Sequence, residues 1–121
     1  MASGTVSTIT QGVQELPITY TSNTLVDNIN IGGGGVKAYK RNGVLIFHFY
    51  VRLNNVSVND FVEVCKVSGW SAKDTARQSI ITDSGTYRWG GIEINTSGSV
   101  KLFVSGSGAN VVRTELIALE A

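Results

Sequence analysis

The chain of 121 residues has one cysteine, one histidine, one proline and one methionine, and each scarcity closes a class of function. With Cys65 alone, no intramolecular disulfide and no multi-cysteine metal site can form. With His48 as the only imidazole, a Cys/His zinc site within one protomer is excluded, so no metal and no cofactor is expected. Charged residues are only 16% of the chain and the net charge is +1, with Lys40-Arg41 as the longest basic run. That leaves no concentrated basic surface for nucleic acid and no polybasic patch for anionic lipid. No apolar run approaches the ~20 residues that cross a bilayer, so no membrane insertion is expected. Met1 to Thr5 is polar and lacks a charged region followed by an apolar one. The reading is a chain made in a cytosol without a signal peptide.

A sustained helical period is also lacking. Hydrophobic residues make up 42% of the chain, enough for a packed globule, but glycine, asparagine and serine cut them into short runs. Strands are expected near residues 5–10, 15–20, 25–31, 36–41, 44–53, 61–67, 77–82, 86–95, 100–105 and 111–119. Pro17 marks an edge strand or a strand start, and Trp70–Ala76 has room for one turn of helix. The glycine run 32–35 separates N-terminal strands or a connecting segment, residues 1–31, from a β domain over 36–121, the whole forming one compact unit. That run is no phosphate loop, because no Gly-Lys-Ser/Thr follows it. Ser105–Asn110 is a second glycine-rich loop without a following helix. The fold class expected is all-β, an antiparallel sandwich or jelly roll.

Two registers follow from local chemistry. Asn42-Gly43 suits a two-residue type I′ turn, since both central positions need positive φ. It pairs Arg41 with Val44, Ala38 with Phe47 and Val36 with Phe49, and gathers Val36, Ala38, Leu45, Phe47, Phe49, Val51 and Leu53 on a core face. In the later hairpin a two-residue turn at Ser97-Gly98 would put charges on both faces. A three-residue loop, Thr96-Ser97-Gly98, places Ile92, Ile94, Val100 and Leu102 together inside and Glu93 opposite Lys101 outside.

The other face of the first hairpin mixes Lys37, Tyr39, Arg41, Val44, Ile46, His48, Tyr50 and Arg52. Either a second layer packs over it, or it is a subunit interface with Tyr39, Ile46, His48, Tyr50 and Arg52 as contacts.

Catalytic groups are scarce. A serine nucleophile needs a base beside it, and His48 lies mid-strand with no Gly-x-Ser-x-Gly elbow in the chain. Asp60, Glu63, Asp74, Asp83 and Glu93 offer carboxylates for glycoside hydrolysis, but no spacing selects a pair. Cys65 reads as a small buried hydrophobe. No catalytic residue is assigned, and the chain is read as a non-enzyme. Aromatic groups near loops remain: Trp70 after Ser68-Gly69, and Tyr87-Arg88-Trp89 after the turn Asp83-Ser84-Gly85. Trp70, Asp83, Tyr87, Arg88 and Trp89 are the candidate ligand-binding residues, because rings stack on apolar sugar faces while charged groups bond hydroxyls. Core and interface positions are the competing readings for each Trp. Tyr87 and Trp89 share a strand face, and a bulge at Gly90-Gly91 would decide which one.

The run from Val36 to Val51, VKAYKRNGVLIFHFYV, resembles the opening hairpin of the C-terminal head domains of tailed-bacteriophage tail-fibre and baseplate receptor-binding proteins. Val67-Ser-Gly-Trp70 stands where that family has a glycine-aromatic step, although the family's proline is missing there. Gly91-Ile-Glu-Ile…Gly98-Ser-Val-Lys-Leu102 matches its next hairpin, so the likeness spans residues 36–119. The resemblance implies a β-sandwich assembled as a homotrimer in the virion, at the phage tail tip. It also implies contact with other phage tail proteins and attachment to a bacterial cell-surface saccharide. The alternatives are a structural virion module without glycan binding (capsid-decorating or fibre-tip) and a trimeric polysaccharide depolymerase.

Overall fold

A computed structural model describes residues 12–27, 35–82, 87–108 and 110–121. Nine strands run in the order β1 (Val13–Leu16), β2 (Ile18–Tyr20), β3 (Val36–Arg41), β4 (Val44–Arg52), β5 (Val62–Val67), β6 (Ala76–Ile81), β7 (Trp89–Ile94), β8 (Ser99–Val104) and β9 (Val111–Leu119). They form two antiparallel sheets packed as a β-sandwich: a four-stranded sheet in the order β1-β3-β4-β9 and a five-stranded one in the order β2-β5-β8-β7-β6.

The β3–β4 hairpin has the derived register, from Arg41↔Val44 to Val36↔Phe49. Asn42 and Gly43 take φ of 49° and 77°, as a type I′ turn requires. All seven residues expected on its core face are buried, and Phe47 stacks on Phe49 at 5.9 Å. The three-residue loop is also present. Ile94 pairs with Val100 and Glu93 with Lys101, while Gly98 takes φ of 85°. The Asn95 side-chain oxygen closes that loop, accepting the Ser97 and Ser99 amides at 3.0 and 3.1 Å.

Pro17 divides the run expected over 15–20 into two strands. β1 is an edge strand of the first sheet and β2 an edge strand of the second, so the chain changes layers at the residue that cannot donate to a ladder. The Pro17 carbonyl instead accepts the Ser68 amide at 3.0 Å. Leu16, Leu25 and Val26 from this N-terminal segment join the core.

Two expectations do not hold as drawn, and the open question of a bulge is resolved. The run over 25–31 makes only a Val26↔Leu53 bridge within its described part, residues 25–27. There the Asn23 side chain accepts the Leu25 and Val26 amides at 2.9 and 2.8 Å, and that turn sends both side chains inward. Trp70–Ala76 holds no helix, because its backbone donors turn to β9: the Lys73 amide bonds Leu119 and Ala72 bridges Glu120. No bulge occurs at Gly90-Gly91, where the β6–β7 pairing runs unbroken from Ile81↔Trp89 to Ala76↔Ile94. A register shift lies instead between Glu63 and Cys65 in β5, where Val64 and Cys65 are both buried. The strand expected over 5–10 lies outside the described residues.

Candidate functional site

The unbroken β7 register settles where the aromatics point. Gly90, Ile92 and Ile94 face the core, so Trp89, Gly91 and Glu93 face outward from the five-stranded sheet. Tyr87 and Trp89 are 70% and 65% exposed. Phe103 is opposite Gly91 across the β7–β8 ladder, and its ring lies 6.1 Å from Trp89 in an edge-on arrangement. Phe61, just before β5, lies 5.9 Å from Phe103. Its ring rests over Gly91, where an added Cβ would meet it at 3.4 Å. Phe103 therefore contacts both Trp89 and Phe61, with Phe61 reaching over β8 to Gly91 of β7 and exposed Ile81 beside Trp89.

Next to this row is a charged one. Arg77, Glu93, Lys101 and Glu63 are in register across β6, β7, β8 and β5. Arg77 Nε donates to Glu93 at 2.8 Å, so the carboxylate expected to pair with Lys101 is held by the opposite neighbour. Glu63 accepts from the Ser99 hydroxyl at 2.5 Å and the Thr21 hydroxyl at 2.8 Å. Those two bonds, aided by Lys66 and Lys101, hold its carboxyl below the usual range.

The structure brings only part of the sequence-derived ligand set together. Tyr87 and Trp89 are on the open face. Trp70 is 6% exposed within the core, its indole N–H buried without an acceptor among the described residues. Arg88 is 2% exposed, and its guanidinium is committed to main-chain carbonyls. Nε donates to Ser105 at 2.8 Å, Nη1 to Gly108 at 2.7 Å and Asn54 at 3.5 Å, and Nη2 to Val56 at 2.7 Å and Gly106 at 3.0 Å. Burial lowers its pKa, yet guanidinium stays charged at any working pH. Alternation along a strand turns Arg88 inward and its neighbours Tyr87 and Trp89 outward. Asp83 lies outside the described residues. Phe103 and Phe61 were missed. The first was readable, since a strand with Val100 and Leu102 inside must turn Phe103 outward. Phe61 reaches the site across two strands, which no local pattern reports.

The outward face of the four-stranded sheet is the second open surface. Tyr39, Ile46, His48 and Tyr50 are half-buried there and Arg52 is exposed. β9 adds Ile117 opposite Ile46 and Leu119 opposite Val44, at 66% and 59% exposure. Several of its polar groups have partners within the chain. Lys37 meets Glu15 at 3.6 Å, His48 meets Glu115 at 3.9 Å, Arg52 meets Asp27 at 3.4 Å, and Arg113 stacks 4.4 Å over Tyr50. At the hairpin end Val44 and Leu119 lie in register with exposed Arg41. Among the described residues no cluster of His, Cys, Asp and Glu is arranged to hold a metal.

No protein-family model matches the sequence, and no curated protein matches it.

Proposed function

We propose that the chain is a receptor-binding head domain of the phage tail-fibre and baseplate kind. In this reading it attaches to a saccharide on a bacterial surface, without catalysis, as a homotrimer within the virion alongside other tail proteins. The observation that carries the reading is the aromatic cluster of exposed Trp89 and Phe61 around half-buried Phe103, beside a row of charged residues. Large aromatic rings left in water on a rigid sheet cost hydrophobic free energy, and a stacked ligand recovers it. Arg77 and Lys101 in an adjoining row supply donors for hydroxyls. A β-sheet floor keeps the rings in place before the ligand arrives, which limits the ordering cost of binding.

The test is binding of labelled protein to a panel of bacterial strains. Saturable labelling of particular strains is expected. Trp89→Ala should weaken it by about 2 kcal/mol, or ~30-fold, while leaving the fold intact, because the ring is exposed. A protein that labels no cells, or a variant that labels them equally well, overturns the reading. The apolar end around Ile117 and Leu119 favours a second reading, a structural virion module that only assembles. Such a module would bind virion components and ignore cells.

A further inference from the structure

The strands of the five-stranded sheet carry three cations, Lys66, Arg77 and Lys101, and two acids, Glu63 and Glu93. The acids are already occupied. Glu93 is buried and accepts the Arg77 Nε–H at 2.8 Å, while Glu63 accepts the Ser99 and Thr21 hydroxyls. Asp60 and Asp74 lie off the sheet, in the loops before β5 and β6. The cations are more open. The Arg77 side chain is 73% exposed, and its Nη groups make no hydrogen bond among the described residues. Lys66 is exposed and Lys101 half-buried, and neither forms an ion pair among the described residues.

What the charged groups leave unspent is therefore hydrogen-bond donors on cations. The acceptor that matches them best is an anion, because a hydrogen bond between two ionised partners is about twice as strong as a neutral one. Arg77 and Lys101 flank Glu93 on either side, with backbones about 10 Å apart. The contact with Glu93 draws the guanidinium towards β7, the strand between it and Lys101. Lys101 lies two residues along β8 from Phe103, about 7 Å, so a saccharide resting on the aromatic cluster reaches these cations.

We propose that this face takes an acidic saccharide, with a sugar against the exposed Trp89 ring and a carboxylate or phosphate of the saccharide held by Arg77 and Lys101. Lys66, one outward row further along, adds to the attraction. This rests on the reading of the site as saccharide-binding and specifies its ligand class.

The experiment uses the full chain, at low and high salt, against purified bacterial polysaccharides that are carboxylated, phosphorylated or neutral, and against vesicles of anionic lipid. Binding to acidic polymers is expected, and which acidic set binds tells carboxylate from phosphate. High salt should weaken it about tenfold, since exposed ion pairs are screened. Lys101→Gln should weaken it about fivefold. Arg77→Gln should do the same, but it strips Glu93 of its partner, so Lys101→Gln is the deciding variant and circular dichroism checks its fold. Lys37→Gln, on the other sheet, should change nothing. Equal binding of neutral polymers, or full affinity at high salt or in Lys101→Gln, overturns this inference while the saccharide reading stands. So does an equal loss in Lys37→Gln, which would mark diffuse attraction. Binding to no polysaccharide, with or without binding to vesicles, overturns both.

Discussion

Arg88 and Cys65 are the residues whose chemistry burial sets most firmly. Among the described residues Arg88 has no carboxylate partner, and five carbonyl groups from residues 54–56 and 105–108 surround its fork instead. A planar guanidinium can serve five acceptors in fixed directions, which an ammonium cannot. Arg88→Lys and Arg88→Met should therefore both destabilise, the second by about 3 kcal/mol or more, because several acceptors lose their donor. Urea unfolding measures this, and a loss under about 1 kcal/mol for the methionine variant would refute the anchoring role. For Cys65, burial pushes the thiol up from 9.0 to about 12, with Glu63 adding to the rise. The unfolded chain then releases the proton before the folded one does. Stability from this group is full below pH 9 and is lost as pH rises from 9 towards 12. The stability difference between the protein and its Cys65→Ala variant should hold steady below pH 9 and then shift in the variant's favour. A difference that stays constant to pH 11 would show the thiol to be accessible.

Two turns demonstrate what local sequence decides. Asn42-Gly43 and Thr96–Gly98 were legible because a slip of one residue would turn a whole hydrophobic set outward. Gly43 and Gly90 carry different constraints, however, and mutation separates them. Around Gly43 nothing lies within 4 Å of an added Cβ, so only its φ of 77° opposes a side chain. Gly43→Ala should cost about 1 kcal/mol. At Gly90 the added Cβ would sit 1.8 Å from the Phe103 carbonyl oxygen in the neighbouring strand. Gly90→Ala should cost about 3 kcal/mol or prevent folding, since backbone cannot yield as a side chain does. Equal midpoints in urea for the two variants would contradict this. What sequence reading missed was long-range or irregular. The β5 register shift breaks the alternation on which faces are assigned. The Asn23 turn converts an expected strand into two inward residues. Arg88 looked available because its carbonyl partners come from loops between 17 and 34 residues away. The site was therefore half legible. Tyr87 and Trp89 follow from strand alternation, whereas Phe61 depends on how β5 packs beside β8.

At the scale of the whole molecule, the sandwich has two outward sheet faces of different character. The five-stranded face sets exposed Trp89 and Phe61 beside the row Arg77, Glu93, Lys101 and Glu63. The four-stranded face carries paired charges at one end and exposed Ile117 and Leu119, with Arg41 beside Val44, at the other. If the homotrimer forms through it, the energetic centre belongs at the apolar end, around Tyr39, Ile46, Ile117, Val44 and Leu119. Arg52 then acts as a rim group, because an ion already paired within the chain gains little from a neighbour. Sequence alone placed Arg52 and Ile46 on equal footing, and the exposure of Ile117 and Leu119 separates them. Ile117→Lys should leave the monomer folded, since the side chain is 66% exposed, and should abolish the trimer by burying an unpaired charge. Arg52→Glu should leave assembly nearly unchanged while losing the contact with Asp27. Multi-angle light scattering of the three proteins at matched concentration measures this. A trimer that survives Ile117→Lys would move the interface off this face, and a monomeric parent protein would remove the assembly altogether.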